Sequence, residues 1–85
     1  MIVTALIKFI ASKLSGIGGR GFDDVVEWVI EVAPQDMRGW EKAEQVIRIF
    51  NHRWAEVAGF AVRTVVQLAY AYARIKGLIP EKNNS

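Results

Sequence analysis

Asp36–Lys76, DMRGWEKAEQVIRIFNHRWAEVAGFAVRTVVQLAYAYARIK, is the stretch whose reading decides the fold. It holds no proline and only two glycines, Gly39 and Gly59. Its apolar residues recur as Ala43, Val46/Ile47, Phe50, Trp54, Val57, Ala61, Val65, Leu68, Tyr72 and Ile75. Steps of three and four mark one face of an α-helix. The spacing therefore predicts one continuous helix over about 36–76, roughly 60 Å long at ~1.5 Å per residue. Gly59 and the poor helix formers Asn51–His52 weigh against continuity. The unbroken stripe and the favourably oriented Glu44–Arg48 pair weigh for it.

Its C-terminal boundary is well marked. Lys76 sits in the last turn, Gly77 can take a left-handed cap, Leu78 can fold back and Pro80 forbids continuation. At the other end Asp36 is a plausible N-cap.

Two shorter helices precede the long one. In Ile2–Leu14, residues Ile2, Val3, Leu6, Ile7, Ile10 and Leu14 share one face, and Thr4, Lys8, Ser12 and Ser15 the other. The first helix is expected over about 2–15. The run Ser15-Gly16-Ile17-Gly18-Gly19-Arg20-Gly21 makes helix costly and positive φ cheap, so it reads as a hinge. It is not a nucleotide loop: no strand precedes it, and the required lysine and hydroxyl are missing. Asp23 and Asp24, which follow at once, would repel a phosphate. A second helix is expected over about 22–33. It carries Val25, Val26, Val29 and Val32 on one side and Asp23, Asp24, Glu27 and Glu31 on the other, and Pro34 stops it.

The expected architecture is all-α: a helical hairpin with the long helix as one arm and the two short helices as a broken second arm. The alternative is a compact three- or four-helix bundle, with the long helix broken near Asn51–His52 or Gly59. Residues 1–80 form one domain in either case, and 81–85 a polar C-terminal tail.

Composition bounds the chemistry. Eighty-five residues, 52% of them apolar, suffice for one small core. The chain has no cysteine and a single histidine, His52, so it offers neither a thiolate metal site nor a multi-histidine one. His52 falls at helical spacing from Arg48 and Glu56, a solvated trio rather than an acid–base pair. The like-charged pairs Asp23–Glu27 and Glu27–Glu31 suit an exposed face. No catalytic constellation emerges, and neither enzymatic activity, a cofactor, a metal nor a small-molecule substrate is expected.

Charge is segregated: Lys8, Lys13 and Arg20 come first, then an acidic block from Asp23 to Asp36, then a mixed, mainly basic remainder. This reads as solvated helix faces or as an acidic segment docking on a basic one, within or between subunits. No signal peptide is evident. The most hydrophobic window, 57–75, is interrupted by Arg63, Gln67 and Arg74 and makes a poor membrane span. The expectation is a cytoplasmic or particle-assembled protein rather than an integral membrane one.

Three functional readings follow. Beyond Glu56, apolar residues cover most of the helix circumference, which predicts a subunit or partner interface at Ala55, Ala58, Phe60, Val62, Val66, Ala69, Ala71 and Ala73. The competing reading of those small side chains is packing against the first helix. The favoured function is a self-assembling, structural or filament-type subunit, or an adaptor or inhibitor binding another protein. The second reading is a peripheral membrane protein, since helix 2–15 is amphipathic and carries Lys8 and Lys13. The third is a nucleic-acid-coating subunit using the strip Arg63, Gln67, Tyr70 and Arg74, which equally suits a plain wet surface.

Overall fold

The computed structural model describes residues 2–79, so Pro80 and the expected polar tail 81–85 lie outside the described residues. Four helices are present: α1 (Ile2–Ser15), α2 (Gly18–Val32), α3 (Gly39–Arg53) and α4 (Gly59–Ile75), with no strand among the described residues. The fold is all-α, and the four helices fit the compact bundle rather than the hairpin.

The predicted continuous helix over 36–76 is corrected to α3, a turn over 54–58, and α4. Trp54 leaves helical geometry at φ −130° and ψ 75°, while its N–H still donates to the Phe50 carbonyl at 2.8 Å. Its indole is held by tertiary contacts, 5.0 Å from the Phe50 ring and 5.8 Å from that of Trp28 on α2. Ala58, extended at φ −61° and ψ 145°, then leads into α4.

This turn changes the phase of the apolar stripe. On α4 the buried residues are Ala61, Val62, Val65, Val66, Ala69 and Ala73, whereas Ile75, on the predicted stripe, is exposed. The buried arc is rotated by roughly 80° from that stripe. A continuous helix could not make that rotation; the break does. Asp36 is likewise not the N-cap. Arg38 is, and its N–H donates to the Glu41 carboxylate at 2.9 Å.

The first helix forms where expected. The second begins at Gly18 rather than near 22, so the glycine run is divided between an elbow and a helix. Gly16 and Gly18 take positive φ values of 75° and 78° at the elbow, and α1 and α2 meet there at 108°. At the far end Gly77 (φ 72°) closes α4 in the expected manner. Its N–H donates to the Arg74 carbonyl at 3.0 Å, and the Leu78 N–H to that of Ala73 at 2.8 Å.

The core lies mainly between α2 and α4. Phe22, Val25, Val26, Val29 and Val32 meet Val62, Val65, Val66, Ala69 and Ala73, with Val46 and Phe50 of α3 closing one side. The Phe22 and Tyr72 rings meet edge to face, with centroids 5.3 Å apart. α1 lies on α2 and α4 and does not pack on α3. It contributes only Ala11 to the buried cluster, with Ile7 packed at its margin.

Candidate docking surface

α1 is built the wrong way round for a helix on a core. Thr4 and Ala11 are its buried residues, and Ile7, Lys8, Ser12 and Ser15 are half-buried. Ile2, Val3, Leu6, Phe9, Ile10 and Leu14 are exposed, from 43% for Leu14 to 84% for Ile2. The sequence groups Ile2, Val3, Leu6, Ile7, Ile10 and Leu14 on one face; the structure turns that face outward, apart from Ile7, and Phe9 joins it. At 100° per residue the outward side chains cover an arc of roughly 140°.

The inward face explains the choice. The arc of α4 that faces the interior is lined with small and β-branched residues, including Ala69 and Ala73. Opposite such a surface, short side chains such as Thr4, Ala11 and Ser15 allow a close approach between backbones. Leu6 or Phe9 in the same place would force the helices apart. The serines bring no unmet polar group with them: Ser12 Oγ donates to the Lys8 carbonyl at 2.7 Å, and Ser15 Oγ to that of Ala11 at 2.8 Å.

The two lysines separate. Lys8 reaches Asp23 on α2, with Nζ 3.0 Å from Oδ1, and so ties α1 across the elbow. Lys13 sits within the outward apolar arc, its ammonium 5.7 Å from the Phe9 ring centroid. The membrane reading places both lysines near a polar side, and the geometry does so only for Lys8. The acidic block of α2 docks within the subunit: Asp23 meets Lys8, and Asp24 meets Arg53 of α3 at 3.3 Å. Both pairs are half-exposed, and such pairs contribute little to stability.

The interface predicted on the second half of the chain divides in two. Val62, Val66, Ala69 and Ala73 are buried in the core cluster, shared with residues of α2 and α3 and with Ala11 of α1. Ala55 and Ala58, in the turn, and Phe60, at the start of α4, are exposed, and Ala71 is half-buried. Phe60 is 70% exposed.

The strip Arg63, Gln67, Tyr70 and Arg74 does come together along one side of α4, with Tyr70 packed at the margin of the core. Arg63 and Gln67 are exposed, whereas Tyr70 and Arg74 are half-buried. Arg63 is drawn toward Glu44 of α3 at 3.6 Å, and the Arg74 guanidinium lies 5.9 Å over the Tyr70 ring. Burial pushes the Tyr70 phenol above its usual value, and Arg74 opposes that shift.

His52 is exposed on α3 and borders an open depression of about 490 Å³ with Gln45, Arg48, Ile49 and Asn51. Glu56 falls in the turn after α3, so the helical spacing that would join it to His52 is absent. Among the described residues no three His, Asp or Glu side chains gather in a metal-binding group. Nor is any single helix among them long and apolar enough to cross a membrane.

These features define a four-helix protein whose most distinctive surface is one apolar helix face turned outward. Comparison with protein-family models, curated proteins and solved structures yields no match.

Proposed function

We propose that the protein is a non-enzymatic docking subunit whose contact element is the outward face of α1. One observation carries this reading: six large apolar side chains on a single helix are exposed while short and polar ones face the interior. Together they present on the order of 600 Å² of apolar surface, at the upper end of the ~300–600 Å² patches that monomers carry, which are often functional. Leaving such a face in water forgoes stabilisation of roughly 25 cal/mol per Å², and an occupant would recover part of it.

The reading is tested by replacing Leu6 and Phe9 together with serine and measuring chemical denaturation at low protein concentration. Exposed side chains should change the unfolding free energy by no more than about 1 kcal/mol. A loss of several kcal/mol would mean that the face is buried in the protein's own fold, and the docking reading would fail.

A further inference from the structure

We infer that the occupant of the α1 face is the surface of an anionic lipid bilayer, an assignment that rests on the docking reading above. Three features of the face favour a bilayer. The first is its charge. Ile2–Ser15 contains two lysines and no acidic residue, and the next ionisable group in the chain is Arg20. With Lys8 engaged by Asp23, Lys13 is the cation that the face itself presents. A lysine can lay its aliphatic stem along apolar surface while its ammonium meets lipid phosphate.

The second feature is the lack of hydrogen-bonding groups. Ser12 and Ser15 donate back into α1 and Thr4 is buried, so Lys13 is the polar side chain on the outward arc. A protein–protein interface carries about one hydrogen bond per 100–200 Å², a demand this face cannot meet from one side chain. Hydrocarbon demands none. A second copy fits poorly for a related reason. A two-fold contact sets the same patch against itself, and α1 carries no carboxylate with which a second copy could meet Lys13.

The third feature is the gradient along the helix. Over residues 2–6 every exposed side chain is apolar, while Lys13 stands in the last turn and Arg20 beyond the elbow. That order suits a helix lying in the interface with its N-terminal end deeper and its C-terminal end at headgroup level. α1 needs no spanning length for this, because it lies along the surface.

Co-sedimentation of the full chain with vesicles tests the inference, using phosphatidylcholine alone and phosphatidylcholine mixed with phosphatidylglycerol, each at low and high salt. Binding to the phosphatidylglycerol vesicles is expected at low salt, with weaker binding to phosphatidylcholine alone and a decline as salt rises. Lys13→Glu should reduce the anionic-vesicle partition by about 30-fold, since it removes one attraction and adds one repulsion. Leu6→Ser with Phe9→Ser should abolish binding while the helical circular dichroism is retained.

Failure of the wild type to bind phosphatidylglycerol vesicles at low salt would overturn the lipid assignment. So would equal binding by the double-serine variant. Light scattering without lipid separates the two levels of the argument. An oligomer that the double-serine change converts to a monomer would keep the docking reading and replace the bilayer with a second copy. A double-serine variant that unfolds would overturn both.

Discussion

The Tyr70 hydroxyl is buried with no hydrogen-bond partner among the described residues. A desolvated, unpaired hydroxyl costs free energy that a phenyl ring avoids, so Tyr70→Phe should be neutral or stabilising, by about 0–2 kcal/mol. The effect should depend on pH. Burial raises the phenol's pKa above its reference of 10.0, so at high pH the folded chain holds a proton that the unfolded chain releases. That contribution is intact below about pH 10 and is lost as pH climbs through the raised folded value, so the advantage of the phenylalanine variant should widen there. Urea titrations at pH 8 and above pH 10 provide the check. A variant less stable than wild type by more than about 1 kcal/mol would mean that the hydroxyl is hydrogen-bonded. At Gly21 the constraint is space rather than polarity. A Cβ at this position would stand 2.7 Å from Ile17 Cβ and 3.2 Å from Cζ2 of Trp54. That glycine is kept by close packing inside α2, whereas Gly16 and Gly18 serve the left-handed elbow.

At the scale of elements, the turn between α3 and α4 decides the architecture. Spin labels at Gln45 and Gln67 would stand roughly 33 Å apart on one straight helix. With α4 folded back to pack on α3, the distribution should centre well below that, and one near 33 Å would restore the continuous helix. The sequence gives local boundaries faithfully where local chemistry sets them. The extent of α1 and the Gly77 cap belong to that kind. It misleads at Trp54, because the residue that ends α3 is an apolar one at stripe spacing, and the contact that fixes it, Trp28, lies on another helix. A helix ended by tertiary packing carries no proline or local cap to announce itself. The break also bears on the surplus apolar surface. With a continuous helix, Val62, Val66, Ala69 and Ala73 look uncovered; once the helix breaks, they become the core. The surplus is real but lies on α1. Its only trace in the sequence is the short-side-chain row Thr4, Ala11 and Ser15 opposite the apolar arc, and amphipathicity alone reads that row as the wet face.

The described chain as a whole measures 34 × 30 × 18 Å. Its short dimension corresponds to about two packed layers at ~8–10 Å between helix axes, so few helices can be covered on both sides. A short chain has limited interior to offer. Here α2 and α4 take most of it, α1 and α3 each pack on both of them, and α1 gives Ala11 alone to the buried apolar cluster. In that arrangement the apolar side of α1 faces water. The chain has no cysteine, so single-cysteine variants report position without interference. The most direct measurement is the rate of maleimide labelling of Leu6→Cys, Phe9→Cys and Ala11→Cys in dilute, lipid-free solution. Leu6→Cys and Phe9→Cys should label nearly as fast as in denaturant, and Ala11→Cys should be slower by orders of magnitude, its rate limited by opening of the fold. Slow labelling at 6 and 9 together with fast labelling at 11 would turn α1 the other way and contradict the account.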